Sequence, residues 1–324
     1  MAKLQDVAAK AGVSVTTVSR VINNYGYLGK ETVKKVKAAM RELNYLPSTA
    51  ARSLQGKGTN LVGLIFPGVS NPFFGELVEK LEHRFFEKGY KVILCDSMAD
   101  REKEREYLRM LAANKVDGII TGTHNAGIEE YEATGAAIIA FDRSISRKIP
   151  IVCSDNYAGG RMAAERLMAA GAQKIAILTG ENNPEDPTYK RYEGYAAALG
   201  EKGREPILYQ YTQPTIALKT MQLKAILQEG DADGYFCTDD LTALLLIGEA
   251  KKLSLAVPGN IKVIGYDATA HVRAYHPFLT TIAQPIEDAA ILMSDLLLRR
   301  IHNPDEAMER IYCLPVGLIR GETA

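Results

Sequence analysis

A short stretch near the start of the chain places small and polar side chains on one helical face, at Val15, Thr16, Thr17, Ser19, Arg20 and Asn23. Hydroxyls, an amide and a guanidinium are the groups that hydrogen-bond to base edges and phosphates. The opposite face carries Val18, Val21 and Ile22, which form an apolar stripe at helical spacing. The spacing therefore predicts a helix that packs through one face and contacts nucleic acid through the other.

The residues before this helix predict a second helix that positions it. Leu4, Val7 and Ala11 lie on one helical stripe. Gly12 is expected to end that first helix, because glycine adopts the left-handed conformation without a Cβ penalty. Ser14 is expected to cap the next helix. Two short helices around a tight turn form a helix-turn-helix motif, whose second helix enters the DNA major groove. The alternative is an ordinary helical hairpin inside a core.

The charge distribution favours DNA binding. The 324-residue chain holds 39 Lys and Arg and 39 Asp and Glu, so its net charge is zero. Residues 1–58 hold ten basic and three acidic side chains, whereas the remainder holds 29 basic and 36 acidic ones. A basic head on an acidic body predicts that only the head contacts a polyanion.

The cysteines and the apolar runs argue against a disulfide-bonded, a metal-binding and a membrane-inserted protein. Cys95, Cys153, Cys237 and Cys313 are far apart, lie in or beside apolar runs and lack metal-ligand spacing. We therefore expect buried thiols in a reducing cytoplasm, with no metal site and no cofactor. The N-terminus lacks a signal peptide pattern and no apolar run reaches about 18 residues, which argues against membrane insertion.

From Leu61 onward, apolar strand-like runs alternate with helical segments. The runs include LVGLIFP, KVILCDS, DGIITG, KIAILTG and IKVIGYD. Such alternation predicts an α/β fold of parallel sheets with right-handed crossovers. Since the alternating segments extend over most of the chain, we expect two sheets in series, each forming a doubly wound lobe. Ligands in these folds bind at the carboxyl ends of the strands.

A segment bounded by proline and glycine separates the head from the body. Pro47 is expected to start a short helix over residues 48–55, and Gly56 is expected to end it. This helix is too short to be stable alone, so the segment is either a linker or a hinge helix that folds on DNA. The predicted domains are the head at 1–46, the hinge at 47–58 and the body at 59–324, with one lobe at about 59–157 plus 285–310 and the other at 158–284 plus 311–324.

Several motifs together resemble the lac repressor/galactose repressor family over essentially the whole chain. They are the head, ARSLQGK, LVGLIFP followed by NPFF, and IGYD with LTTIAQP. DGIITGTHN, AFDR and SDNYAGGRMA are most similar to the sucrose-operon repressors of Gram-positive bacteria within that family. The resemblance implies a helix-turn-helix head, a hinge helix and a body like a periplasmic sugar-binding protein, acting on palindromic operator DNA. Residues 311–324 carry no heptad repeat, so we expect a homodimer rather than a dimer of dimers.

The resemblance also implies which residues contact DNA. Val15, Thr16 and Thr17 open the recognition helix and face the bases, while Ser19, Arg20 and Asn23 flank them toward bases or phosphates. Leu54 matches the hinge leucine that inserts into the minor groove at the centre of the operator. Unstacking one base step costs roughly a few kcal/mol, which the extra contacts of the bent DNA offset.

An effector site between the lobes is implied at Phe73, Phe74, Arg143, Arg191, Asp239, Asp267 and Gln284. Planar Asp and Arg groups suit the vicinal hydroxyls of a sugar, and an aromatic ring suits its apolar face. The chain has no Trp. Thr212 stands where relatives often place a stacking aromatic residue, so Tyr211 or Tyr157 is expected to substitute.

Simpler interpretations exist for two of these residues, and for two others that could line the same cleft. Asp142 and Asp267 at strand ends could cap the following loops, and Arg191 could form a surface ion pair. His124 is more often incidental than a ligand contact. Convergence on one crevice favours the effector interpretation. Because Arg143 and Arg191 together could also bind a phosphate group, a sugar phosphate is a second candidate effector.

We therefore predict a transcriptional repressor of a sugar operon, with sucrose as the favoured sugar, that a sugar or sugar phosphate releases from its operator. Control by a co-repressor stays open. The alternatives are a global carbon-catabolite regulator controlled by a phosphorylated carrier protein and a cytoplasmic sugar-binding protein. An enzyme is not favoured, because the sequence shows no nucleophile–base pair, metal cluster or phosphate-binding glycine loop.

Overall fold

The computed structural model describes residues 2–22, 25–45, 58–123, 125, 127–180, 184–211 and 215–324. The chain divides into two compact units, Met1–Thr59 and Asn60–Ala324. The predictions for the hinge helix at 48–55 and for Asn23, Leu54, His124 and Thr212 lie outside the described residues. Among the described residues, no helix combines the length and the apolar character needed to cross a membrane.

The first unit is a three-helix head with the helices α1 (Leu4–Ala11), α2 (Val15–Ile22) and α3 (Lys30–Glu42). Gly12 ends α1 at a φ of 64°, and the Ser14 hydroxyl accepts from the Thr17 amide at 3.1 Å, which confirms both predicted signals. Val7, Val18 and Val36 are fully buried where the three helices meet. Burying each such side chain stabilises the head by about 1.5–3 kcal/mol, and this packing turns the other face of α2 to solvent.

Lobe 1 of the second unit is a six-stranded parallel sheet in the order β11-β5-β4-β3-β1-β2. Its strands are β1 (Leu61–Phe66), β2 (Lys91–Asp96), β3 (Gly118–Thr121), β4 (Ala137–Phe141), β5 (Ile151–Ser154) and β11 (Ile311–Leu314). Its helices are α4 (Pro72–Glu87), α5 (Arg101–Ala113), α6 (Glu130–Ala133) and α12 (Ile286–His302). Helices α4 and α12 bury one face of the sheet, and α5 and α6 bury the other.

Lobe 2 is a second six-stranded sheet in the order β12-β10-β9-β8-β6-β7, parallel except for β12. Its strands are β6 (Ile175–Gly180), β7 (Ile207–Tyr211), β8 (Gly234–Cys237), β9 (Lys262–Asp267), β10 (Thr281–Ala283) and β12 (Gly317–Ile319). Its helices are α7 (Asn156–Ala169), α8 (Lys190–Gly200), α9 (Ile216–Glu229), α10 (Asp240–Lys252) and α11 (Ala270–Tyr275). Helices α7 and α8 cover one face, and α9, α10 and α11 cover the other.

The chain crosses between the lobes three times, after β5, after β10 and after β11. The predicted assignment of residues 311–324 to one lobe is wrong for the first four of them. Ile311–Leu314 pairs in parallel with Ile151–Ser154 and is the edge strand of lobe 1, and the chain reaches lobe 2 only at β12. A short apolar run after a helix carries no local signal of which edge it will join.

The prediction of four buried cysteines is also wrong at one position. Cys95, Cys153 and Cys237 are buried, but Cys313 is exposed. The physical reason is the same edge position, because β11 has a neighbouring strand on one side only.

Candidate effector pocket and nucleic-acid interface

A cavity of about 210 Å³ opens between the two lobes, at the carboxyl ends of their strands. It is lined by Asn71, Phe73, Phe74, Gly122, Phe141, Asp142, Arg143, Thr179, Gly180, Thr188, Arg191, Tyr211, Thr238, Asp239, Asp267 and Gln284. All seven residues expected at an effector site are therefore brought together. Tyr211 lines the cavity, whereas Tyr157 does not and is 39% exposed on α7.

Arg191, near the start of α8, is held in a fixed orientation by buried partners. Its Nε donates to the Asn156 side-chain oxygen at 2.7 Å, and its Nη1 donates to the Thr238 carbonyl at 3.0 Å. Its guanidinium lies 3.8 Å from the centroid of the Tyr266 ring. Only 8% of the residue is exposed, so the interpretation of Arg191 as a surface ion pair is wrong.

The placement of Arg191 depends on a close crossing of α7 and α8. A Cβ added at Gly160 would lie 2.0 Å from the Arg191 carbonyl oxygen, and one added at Gly194 would lie 2.0 Å from the Tyr157 carbonyl oxygen. Glycine at both positions lets the two backbones touch. The crossing therefore places the backbone of Arg191, in the first turn of α8, directly against Gly160 of α7.

Asp142 connects lobe 1 to this guanidinium. Its Oδ1 accepts from the Asn156 amide at 3.0 Å, and its Oδ2 lies 3.6 Å from Nη2 of Arg191. Burial raises the pKa of Asp142, although Arg191 and Arg143 oppose the shift. For Arg191, burial opposes the charged form, but Tyr266, Asp142 and Asp267 raise its pKa on balance. Asp142 thus contacts α7 and α8 across the cleft instead of only capping its own loop.

Arg143 follows Asp142 and also reaches across to lobe 2. Its Nη1 donates to the Thr188 hydroxyl at 2.5 Å and lies 3.9 Å from the Asp186 carboxylate. The Ser144 amide donates to the same Asp186 carboxylate at 3.2 Å. Burial lowers the pKa of Arg143, although Asp186 and Asp142 oppose the shift. Both arginines of the cavity therefore already have acidic partners.

A second bridge joins the lobes beside the cavity. The Ser154 hydroxyl donates to the Gln284 side-chain oxygen at 2.8 Å, and the Gln284 side-chain amide donates to Asp267 Oδ1 at 2.7 Å. Asp267 has a φ of 118°, a strained conformation that side chains rarely adopt outside functional sites. Burial and the nearby Asp240 raise the pKa of Asp267 well above its usual value.

Asp239 and Tyr211 also line the cavity and contact each other. Asp239 Oδ1 accepts from the Thr242 amide at 2.7 Å, which caps α10, and its Oδ2 accepts from the Tyr211 hydroxyl at 2.8 Å. Lys219 lies 3.7 Å from Asp239 and 4.0 Å from the Tyr211 ring centroid. Burial opposes the charge on Asp239, but Lys219 and these hydrogen bonds keep its pKa below the usual value.

Phenylalanines close the remaining side of the cavity. Phe73 packs on Phe74 and on Phe141 at ring separations of 5.4 and 5.6 Å, and Phe74 packs on Phe66. Asn71 caps α4 by accepting from the Phe73 amide at 2.9 Å, and Pro72 starts the helix. The NPFF motif therefore fixes an apolar wall at the first turn of α4.

The arrangement suits a neutral polyhydroxylated ligand. Carboxylates accept from hydroxyls, the arginines donate to them, and the phenylalanine wall covers an apolar face. Within the described part of the chain, no cluster of His, Cys, Asp or Glu could hold a metal ion.

Sequence reasoning missed several polar lining residues, namely Asn71, Thr179, Thr188 and Thr238. A signal was present for Thr179 and Thr238, because each lies at or just after the carboxyl end of a predicted strand. Thr188 lies in the one-turn 3₁₀ helix Pro187–Tyr189, which no periodic pattern predicts.

The recognition face of α2 is presented to solvent. Val15, Thr16 and Arg20 are exposed, and Thr17 and Ser19 are half-buried. The Thr17 hydroxyl is 2.8 Å from that of Ser14, and Arg20 Nε donates to the Tyr25 carbonyl at 3.4 Å. The exposed side of the helix therefore presents hydroxyl groups and one guanidinium, which is held by a hydrogen bond to the loop after α2.

Two family models match the chain. Residues 3–48 match that of bacterial regulatory proteins of the lacI family, and residues 164–324 match that of the periplasmic binding protein-like domain. The sucrose operon repressor of Pediococcus pentosaceus is 54% identical over 323 residues, covering 99% of each chain. That of Streptococcus mutans is 49% identical over 323 residues, covering 100% of this chain and 99% of its own.

A solved structure of the lac repressor dimer, bound to operator and the anti-inducer ONPF, has the same fold. It is 28% identical, with a TM-score of 0.83 over 99% of this chain and 98% of that one. The similarity to these relatives extends over the head and both lobes, that is, over essentially the whole chain. This chain therefore belongs to the lacI family of bacterial regulatory proteins and is a DNA-binding transcriptional repressor.

Proposed function

We propose that this protein represses a sucrose-utilisation operon and that a sugar bound between its lobes releases it from operator DNA. Two relatives that are sucrose operon repressors, at 54% and 49% identity, support this assignment. The repressor acts in the cytoplasm, as a homodimer on a palindromic operator. The sugar shifts the protein between two states through its different affinity for each of them.

One observation carries the proposal of a sugar effector. Arg191, Asp267 and Gln284 are all at most 9% exposed, yet all three line one cavity at the junction of the lobes. Buried charged and amide groups need partners to offset the cost of their desolvation, and their concentration around one cavity is typical of a recognition site. A sugar that hydrogen-bonds to both lobes would stabilise one arrangement of the lobes over another.

The charges of the cavity favour an unphosphorylated sugar. Asp142, Asp239 and Asp267 line it together with Arg143 and Arg191. Both guanidinium groups lie within 3.9 Å of an Asp carboxylate. A phosphate dianion would compete with these carboxylates for the guanidinium groups. It would also approach the Asp239 carboxylate, whose pKa is below its usual value, and this is unfavourable in a cavity shielded from water.

The test is a titration of the purified protein with sucrose, sucrose 6-phosphate and fructose by isothermal calorimetry. The same sugars are then added to a gel-shift assay with an operator selected from a randomised DNA pool. We expect sucrose to bind and to lower operator affinity. Tighter binding of the phosphate would contradict the charge argument, and higher operator affinity with sucrose would make it a co-repressor. If none of the three binds, sucrose is not the effector class.

The proposed DNA contacts are Val15, Thr16, Thr17, Ser19, Arg20, Asn23 and, in the minor groove, Leu54. Arg20 carries the guanidinium on this face, so Arg20→Ala should weaken operator binding by about 1–3 kcal/mol if it contacts a guanine. In that case the loss concentrates at one base position, whereas a phosphate contact weakens binding to all sequences. A gel-shift titration against operator variants separates these outcomes, and an unchanged affinity would remove Arg20 from the interface.

A further inference from the structure

Two of the four cysteines face each other on neighbouring strands of lobe 1. Cys153 on β5 is paired in register with Cys313 on β11. The two thiols lie close enough to shift each other's pKa. The other two cysteines have no such neighbour, because Cys95 is paired with Ile65, and Cys237 with Leu178. The pairing thus distinguishes Cys153 and Cys313 from two internal controls.

The geometry of this pair is compatible with a covalent link. Neighbouring strands lie about 4.8 Å apart, which is within the Cα separation of about 4.4–6.8 Å found across disulfides. The Cβ atoms of a disulfide are closer, about 3.8 Å apart, so one strand must move by about 1 Å. Since β11 is an edge strand with a single neighbour, it can make that movement without breaking a second ladder.

We propose that Cys153 and Cys313 form a reversible disulfide when a small-molecule disulfide such as oxidised glutathione is present. Exposed Cys313 attacks the oxidant, forms a mixed disulfide and releases one glutathione thiol. Buried Cys153 then attacks the Cys313 sulfur, which forms the protein disulfide and releases the second glutathione thiol. Both protein thiols lose their hydrogen, and one oxidised glutathione becomes two reduced ones.

The location gives the link a structural consequence. Cys153 lies two residues before Asp155, where the chain leaves β5 for α7, and Cys313 lies just before the crossover from β11 to β12. The Asp155 amide donates to the Leu314 carbonyl at 2.7 Å, so the two crossovers already touch. The disulfide would tie two of the three connections between the lobes at their lobe 1 ends.

The experiment incubates the native full-length protein with oxidised glutathione at pH 8.5 for a day. Thiols are then counted after denaturation, and linked peptides are identified by mass spectrometry. Alkaline pH is chosen because burial of Cys153 and partial desolvation of the more exposed Cys313 raise the pKa of both thiols, which slows attack at neutral pH. We expect two of the four thiols to be lost and a single linked peptide pair to appear, and dithiothreitol should restore all four.

Two variants serve as controls. Cys95→Ser should lose the same two thiols as the wild type, because its cysteine is not part of the pair. Cys313→Ser should retain all three of its thiols. Retention of four thiols in the wild type, a glutathione adduct that stays on Cys313, or a link to any other cysteine would each overturn the proposal.

Discussion

At the scale of single residues, Arg191 is a buried charge that lines the cavity in a fixed orientation. Two of its donors are committed to Asn156 and Thr238, which orient the guanidinium plane. Arginine suits this position because its planar fork presents several donors in one fixed geometry. A lysine would keep the charge but lose that geometry.

Arg191→Lys should therefore reduce sugar affinity while leaving operator binding intact, so that the variant resists release. Loss of a charge-assisted hydrogen bond costs about 1.5–3 kcal/mol, which is roughly one to two decades of affinity. Calorimetry and gel shifts with and without sugar measure both effects. The matched control is Arg161→Lys, whose guanidinium pairs with Glu201 and Glu165 away from the cavity. Equal responses of the two variants would remove Arg191 from the effector site.

A second residue-scale prediction concerns Asp240, a buried carboxyl group whose charge raises the pKa of Asp267. Burial raises the pKa of Asp240 to about 7 from its usual 3.8, although hydrogen bonds from Thr281 and Ala268 oppose the shift. Since the folded-state pKa lies above the unfolded one, the folded protein binds the proton more tightly. This contribution to stability is full below the unfolded value of 3.8 and is lost as pH rises through about 7.

Asp240→Asn should flatten this dependence, because an amide stays neutral at every pH. Guanidinium unfolding between pH 5 and 8 should show wild-type stability falling relative to the variant as pH rises. Asp305→Asn, at an exposed loop position, should follow the wild type. Parallel stability curves for Asp240→Asn and wild type would show that the carboxyl does not take up a proton on folding.

At the scale of elements, the crossing of α7 and α8 determines where the first turn of α8 lies. The contact is made by backbone atoms at Gly160 and Gly194, so no side chain there can adjust to an added methyl group. Moving α8 would move Arg191 relative to Asn156 and Thr238. The helix crossing therefore influences the shape of the cavity, although neither glycine lines it.

Gly194→Ala should lower the free energy of unfolding by about 1–3 kcal/mol and weaken sugar binding, because the added Cβ meets the Tyr157 carbonyl. Gly200→Ala is the control on the same helix, where an added Cβ meets nothing within 4 Å. Chemical denaturation and calorimetry compare the two. If both variants behave alike, the close crossing does not position Arg191.

At the scale of the whole second unit, Asn60–Ala324, a few polar contacts join the rims of the two lobes beside the cavity. The Glu76 carboxylate on α4 accepts from the Ala270 amide of α11 at 2.7 Å. On the other rim, Arg143 and Ser144 contact Asp186. These contacts exist only while the lobes keep this relative arrangement, so they bias its population.

Glu76→Ala should weaken sugar binding roughly three- to tenfold, because this hydrogen bond is exposed to solvent and a typical net hydrogen bond contributes about 0.5–1.5 kcal/mol. The reason is a lower population of the arrangement that closes on the ligand. Glu79→Ala, at an exposed position on the same helix, is the control. Identical sugar titrations for the two variants would show that the rim contact has no part in the equilibrium.

The sequence predicted much of this architecture because its signals are local. Gly12 and Ser14 delimit helices by their own backbone chemistry, and the alternation of strands and helices follows from hydrophobic periodicity. The seven effector residues were predicted from motifs that the family resemblance supplied. Their convergence on one cavity follows from the parallel sheets, which bring their strand ends to one edge.

The sequence by itself determined the head, the two-lobed α/β plan and the family of this protein, because motif spacing and periodicity are properties of neighbouring residues. Only the tertiary structure decided that Arg191 pairs with Asp142 and Asn156, that β11 joins lobe 1, and that Cys153 meets Cys313. These contacts join residues 35 to 160 positions apart. These contacts depend on which edge of which sheet each strand joins and on the register of its pairing. Strand order and register are in turn determined by the burial of both faces of each sheet, which involves the whole chain.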